Sequence, residues 1–154
     1  MESAFILPRW TTAVNLRMIH LQYNLKETWS WEGFPTSQIE IGCCGAYCKT
    51  CKVYTQNLCK GCKIGYDTGE RDLSKAKCAM KVCCVRRGLV SCADCEAYET
   101  CDTLLAFYGH DSYKYKKYKQ AIEYIRAHGY EAFLRDADRW NGAYGSYEEP
   151  VEPK

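Results

Sequence analysis

The sequence predicts a small α-rich, irregular metal-stabilised domain with a C-terminal helical hairpin. Three observations lead to this fold class. All twelve cysteines lie within residues 43–101, this stretch is poor in aliphatic side chains, and the segment that follows carries apolar residues at helical spacing. A chain of 154 residues has the usual length of one domain. Its cysteine-rich part would consist of zinc-knuckle-like turns and short helices.

The cysteine-rich stretch is predicted to lack a sufficient hydrophobic core. The apolar share of the chain is 47%, but that figure includes twelve Cys and thirteen Tyr. Small domains with little aliphatic content usually depend on disulfides or metals for stability. We therefore divide the chain into an N-terminal arm (1–40), a cysteine-rich metal-binding module (41–108), C-terminal helices packed on it (109–141) and a disordered tail (142–154).

Helices are predicted at three places after residue 70. Residues 74–87 form a short helix, with Ser74 as the N-cap and Gly88 at the stop. Residues 94–108 form a second helix that ends at Gly109. Over 112–140 the spacing of Tyr115, Tyr118, Ile122 and Ile125 predicts an amphipathic helix that Gly129 interrupts. Before the cysteines, alternation over 14–25 slightly favours a strand.

The cysteine spacing is typical of metal binding. Three pairs have the form C-x-x-C, namely Cys48/Cys51, Cys59/Cys62 and Cys92/Cys95. A tight turn between two such cysteines points both sulfurs at one ion, about 2.3 Å from zinc. The first two pairs would complete a four-thiolate site, and a cross-braced site that includes Cys44 fits equally well. The third pair would be completed by two of Cys78, Cys83, Cys84 and Cys101.

Zinc is the preferred metal, and an iron–sulfur cluster is the alternative because it uses the same side chain. Cys44-x3-Cys48-x2-Cys51 also has the spacing of the radical-SAM cluster motif, but those enzymes carry it on a barrel that takes about 200 residues or more. Residues 1–10 lack the features of a signal peptide, and no window approaches the length of a membrane span. A cytoplasmic location is thus expected, where disulfides seldom persist.

The order of the cysteines resembles that of the DUF3795 family of small cysteine-rich prokaryotic proteins. The resemblance covers about 41–108, with CGAYC-x2-C, CKGC and CADCE-x4-C as its motifs, and extends through HGYEAFL at 128–134. It implies metal binding and an uncharacterised function. Thr100 stands where members often have proline, and Cys43 and Cys84 are extra to the pattern. The resulting ligand set is Cys44, Cys48, Cys51, Cys59, Cys62, Cys78, Cys83, Cys92, Cys95 and Cys101.

The charge distribution allows two interpretations. Residues 43–95 carry ten Lys/Arg against four Asp/Glu. This surplus either binds a polyanion such as nucleic acid or offsets the −2 charge of a four-thiolate zinc site; we favour the second. Because no catalytic constellation stands out, we expect a binding or adaptor protein with a protein partner rather than an enzyme. An iron–sulfur redox or sensor protein and a nucleic-acid binder are the alternatives.

Overall fold

A computed structural model of the chain describes residues 36–147, and over this range the protein is helical. No strand is formed within 36–147, where Ile41 and Tyr47 make an isolated antiparallel bridge. The α-helices are α1 (Thr36–Ile39), α2 (Lys52–Thr55), α3 (Ala79–Arg87), α4 (Asp102–Tyr108) and α5 (Tyr113–Ala137). Short 3-10 helices lie at Leu73–Lys75, Cys92–Asp94 and Tyr98–Thr100. The predicted N-terminal arm, with its strand over 14–25, lies outside the described residues apart from 36–40.

The cysteine-rich stretch and the C-terminal helix share one core. Tyr47 is fully buried, and its ring packs edge-on against Phe133 at 5.8 Å between centroids and against Trp140 at 6.4 Å. Ile41, from the start of the module, and Ile122, from α5, belong to the same buried cluster. The C-terminal helix therefore supplies apolar surface that the cysteine-rich sequence lacks.

The helix predicted over 74–87 is shorter than expected. Its end is confirmed, since Gly88 caps α3 in the left-handed conformation with φ 66°. Its start is at Ala79, with Cys78 as the N-cap, and the prediction of Ser74 as N-cap is wrong. The backbone N–H of Ser74 instead donates to the Asp72 carboxylate at 2.9 Å, which starts a separate 3-10 helix at Leu73–Lys75.

The second predicted helix, 94–108, also begins later than expected, at Asp102. Ser91 and Asp94 form a capping box around the 3-10 helix Cys92–Asp94, which uses the local hydrogen bonds that a longer helix would need. A further 3-10 helix, Tyr98–Thr100, precedes the N-cap Cys101. The segment from Cys92 to Cys101 thus consists of two short 3-10 helices and turns.

The long C-terminal helix and its interruption are confirmed. α5 spans 25 residues, and Gly129 inside it has a non-helical backbone at φ 83° and ψ 171°. The segments on either side contact each other, since the Tyr124 hydroxyl donates to the Asp136 carboxylate at 3.0 Å. None of the helices that the structure describes has the length and apolar character needed to cross a membrane.

Residues 142–147 pack on the core, although the sequence predicted a disordered tail from 142 onward. The carbonyl of Ala143 accepts from the Tyr47 backbone N–H at 2.9 Å, and the Gly142 carbonyl accepts from the Thr50 hydroxyl at 2.6 Å. The Tyr147 ring stacks on Tyr124 at 4.2 Å. Aromatic side chains therefore fix this segment; residues 148–154 lie outside the described range.

Gly45 tests how closely the cysteine module approaches α5. A Cβ at Gly45 would lie 2.5 Å from the Tyr118 carbonyl oxygen and 2.9 Å from Ala121 Cβ. Gly45→Ala should therefore lower the free energy of unfolding by about 3 kcal/mol, because a clash adds to the strain of a left-handed backbone. Gly69→Ala is the matched control, since φ is +78° there and nothing lies within 4 Å; it should cost only about 1 kcal/mol. Denaturant unfolding under reducing conditions measures both, and equal costs would contradict the close approach.

Candidate metal centre

All twelve cysteines are free thiols, and most of them face the interior of the module. Five are buried, five are partly buried and two, Cys59 and Cys83, are exposed. This burial differs from that of reactive thiols, which occupy electropositive and accessible positions. The distribution is the one expected of side chains that hold the fold together.

The first predicted ligand set is brought together around Cys48. Burial raises the pKa of the Cys48 thiol to about 11; a hydrogen bond from the Cys62 backbone lowers it, and the nearby thiols of Cys62, Cys59 and Cys51 raise it. Short turns create this proximity: the Cys51 N–H donates to the Cys48 carbonyl at 2.9 Å, and Gly61 turns the chain at φ 75° between the second pair. The two C-x-x-C pairs predicted to share an ion thus lie side by side.

Cys44 lies beside the same group. Burial raises the pKa of the Cys44 thiol to about 12. A hydrogen bond from the Ala46 backbone lowers this pKa, and the thiols of Cys62 and Cys78 raise it further. Backbone hydrogen bonds to sulfur stabilise the thiolate and are a common feature around metal-bound cysteines. The position of Cys44 is therefore compatible with the cross-braced arrangement as well.

The third pair, Cys92/Cys95, stands on the turn that the Ser91–Asp94 capping box closes. Arg87 Nη1 donates to Cys95 Sγ at 3.2 Å, and Cys83 precedes Arg87 by one turn of α3. Cys84 Sγ and Cys92 Sγ are 3.6 Å apart. The remaining two candidates, Cys78 and Cys101, occupy the N-cap positions of α3 and α4.

Cys43 and Cys84, the two cysteines extra to the family pattern, lie at the centre of the array. Each has only 1% of its surface exposed. Cys62 Sγ donates to Cys43 Sγ at 3.5 Å, and the Cys92 backbone N–H donates to the Cys43 carbonyl at 3.0 Å. Their absence from the ligand set stays a prediction. In position, Cys43 contacts Cys62 of the first group of thiols and Cys84 contacts Cys92 of the third pair.

Two basic side chains lie beside the sulfur atoms of the module, Arg87 at its surface and Lys63 in its interior. The sequence pattern identified neither as a site residue. Lys63 is 3% exposed, and its ammonium donates to the carbonyls of Gln38, at 2.9 Å, and Val90. Burial lowers the pKa of Lys63, while the surrounding thiols, led by Cys43, oppose that shift. No carboxylate pairs with Lys63 within residues 36–147. A lysine next to a C-x-x-C pair is the only sequence signal that this position offered.

The thiol pairs have the spacing that zinc requires, but they do not already surround a single point. A tetrahedron with bonds of about 2.3 Å has sulfur–sulfur edges of about 3.8 Å, close to the 3.5 and 3.6 Å of the two contacting pairs. Over the described part of the chain, no three or more His, Cys, Asp or Glu residues are arranged to hold an ion. The donor set fits zinc in chemistry and in pair spacing, and closing a site requires side-chain rotation.

The lysine-rich stretch 113–119 lies in α5 and forms part of its surface. The rings of Tyr115 and Tyr118 both pack on Phe107, at 4.7 and 6.4 Å between centroids, while Lys116 and Lys119 are exposed and form ion pairs. His110 is exposed, with its ring 4.9 Å from that of Tyr115. These residues take part in packing and solvation of α5.

Three comparisons with known proteins give no match. No family model matches the chain, and neither a curated protein nor a solved structure is significantly similar to it. The resemblance to DUF3795 therefore stays a prediction from the cysteine order.

Ser91 tests the turn that presents Cys92 and Cys95. Its buried hydroxyl accepts from the Ala93 N–H at 3.1 Å and contacts the Tyr130 hydroxyl at 2.9 Å. Ser91→Ala should lower the free energy of unfolding by about 1–2 kcal/mol, because a buried cap is lost. The exposed control Ser74→Ala should change it by less than about 0.5 kcal/mol. Denaturant unfolding of both variants measures the difference, and equal effects would show that the cap does not hold the turn.

Proposed function

We propose that this protein binds zinc through its cysteines, in four-cysteine sites that stabilise the fold, and acts as a binding or adaptor protein. The observation that carries the proposal is that the two C-x-x-C pairs adjoin: a Cβ at Gly61, inside the second pair, would lie 3.3 Å from the ring of Tyr54, three residues after the first pair. In keeping with this, the thiols of Cys62, Cys59 and Cys51 all raise the pKa of the Cys48 thiol. These are the four cysteines that the spacing of two C-x-x-C pairs assigns to one ion, and closing that site requires their side chains to rotate.

Binding of a divalent cation would release the protons of the Cys48 and Cys44 thiols. Burial keeps the Cys48 and Cys44 thiols protonated, with pKa values of about 11 and 12. A bound cation displaces such protons, and the free energy of binding is then coupled to folding. Backbone hydrogen bonds from Cys62 to Cys48 and from Ala46 to Cys44 are oriented to stabilise the resulting thiolates.

A structural rather than catalytic role follows from the ligand number. Structural zinc sites are closed by four protein ligands, whereas catalytic sites keep one position for water or substrate. Cys48, Cys51, Cys59 and Cys62 would fill a tetrahedral shell by themselves once their side chains turned toward one ion. The module would then act through its surface, which is why we assign a protein partner and a reducing, cytoplasmic environment.

An iron–sulfur cluster with a redox or sensor role is the alternative, since the same thiolates hold it. Nucleic-acid binding ranks third. Part of the basic surplus that suggested it is already engaged, since Lys63 is buried on backbone carbonyls and Arg87, at the surface, donates to Cys95 Sγ. A surface that binds a polyanion would need those charges to be free.

Purification without oxygen, followed by elemental analysis and a visible spectrum, tests the identity of the metal. We expect a colourless protein with at least two zinc ions per chain, by the arithmetic of four ligands per ion. A brown protein with absorbance near about 400 nm and iron in place of zinc would show that the cluster alternative is right. A well-folded reduced chain that holds neither metal would contradict the proposal as a whole.

Cys48→Ser tests the ligand set. Loss of one thiolate from a closed site should remove about one zinc ion per chain and lower the thermal midpoint by more than about 10 °C, because structural zinc contributes folding free energy. Thr55→Ala, at an exposed position in the neighbouring α2, is the control and should keep the metal content. If Cys48→Ser leaves metal content and thermal midpoint at the level of the control, Cys48 is not a ligand.

A further inference from the structure

Four thiols form a row of two contacting pairs at the centre of the module, and one member of each pair, Cys43 and Cys84, lies outside the family pattern. The Sγ atoms of Cys62 and Cys43 are 3.5 Å apart and those of Cys84 and Cys92 are 3.6 Å apart. The pairs are joined through the backbone, since the Cys92 N–H donates to the Cys43 carbonyl at 3.0 Å. The side chains come from three separate segments, so folding alone brings them together. Cys43, Cys84 and Cys92 are each at most 5% exposed.

The row is accompanied by a buried positive charge. Lys63, 3% exposed, has the thiols of Cys43, Cys62 and Cys84 among its electrostatic neighbours. An ammonium removed from water costs several kcal/mol unless an opposite charge lies nearby. Cysteines that served only as small apolar side chains would leave this charge uncompensated. A thiolate–metal centre would compensate it.

We infer that Cys43, Cys62, Cys84 and Cys92 bind one soft divalent metal ion of their own, such as zinc, with Lys63 as its buried counter-charge. This inference rests on the proposed function, namely that the module holds metal through thiolates. Four thiols release four protons to solvent as the ion binds. The resulting centre carries a charge of −2, which the Lys63 ammonium reduces to −1, and no electron is transferred.

The assignment also divides the remaining thiols evenly. With Cys62 in the central site, Cys44 takes the fourth place beside Cys48, Cys51 and Cys59. Cys78, Cys83, Cys95 and Cys101 are left for the third set. Twelve cysteines then form three sets of four.

The test is the zinc content per chain of the anaerobically purified protein and of Cys43→Ala, Cys84→Ala and the double variant. We expect about three ions in the wild type, by four ligands per ion. Each single variant and the double variant should lose the same one ion, because both cysteines serve one site. Ile125→Val, which trims a core side chain 4% exposed, is the control for loss of packing and should keep all three.

The outcomes separate this inference from the proposed function. If the wild type holds zinc and the Cys43 and Cys84 variants keep its full content, the central site is wrong while the proposed function stands. A wild type without metal would overturn both. Should the variants fail to fold, cadmium-113 NMR of the cadmium-loaded wild type decides: three all-sulfur resonances are expected, and two would overturn the third site.

Lys63→Met tests the counter-charge separately. The substitution keeps the length of the side chain but removes its charge, so the central ion should be lost to a competing chelator at a concentration at least about tenfold lower than in the wild type. This factor corresponds to about 1.4 kcal/mol of lost electrostatic stabilisation. An unchanged chelator midpoint with intact folding would show that Lys63 does not balance the centre.

Discussion

The cysteine module is organised around a buried ammonium group in a sulfur-rich interior. Lys63 satisfies two backbone carbonyls, and among residues 36–147 the neighbouring thiols are the groups that would balance its charge as thiolates. Because both partners are buried, the charge state of the thiols and the stability of the fold are coupled. The bonds to the Gln38 and Val90 carbonyls also tie the start of the module to the turn that carries Cys92 and Cys95.

The module also depends on the C-terminal part of the chain for its apolar contacts. Gly45 approaches the backbone of α5 so closely that no side chain fits, and Tyr47, between Cys44 and Cys48, is enclosed by Phe133 and Trp140. The turn that carries Cys44 and Cys48 therefore packs against aromatic rings of the C-terminal part on one side and against other cysteine side chains on the other. This arrangement explains why a stretch with so few aliphatic residues can adopt one conformation.

The sequence predicted those parts of the fold that depend on local signals. The 3.6-residue period identified α5, and Gly88 and Gly129 marked where helices end or break. Helix starts were placed too early at Ser74 and at residue 94, because Asp72 and Ser91 direct the local hydrogen bonds into 3-10 helices. The grouping of Cys48 with its three neighbours follows from short spacing. The central position of Cys43 and Cys84, and the burial of Lys63, depend on contacts between distant segments that no local pattern encodes.

The coordination shell of the metal tests the central claim most directly. X-ray absorption at the zinc edge of the anaerobically purified full-length chain reports the ligand type and distance averaged over all sites. The account predicts a shell of four sulfur ligands at about 2.3 Å, with no nitrogen or oxygen contribution. A shell dominated by nitrogen or oxygen, or a folded chain that binds no zinc, would contradict it.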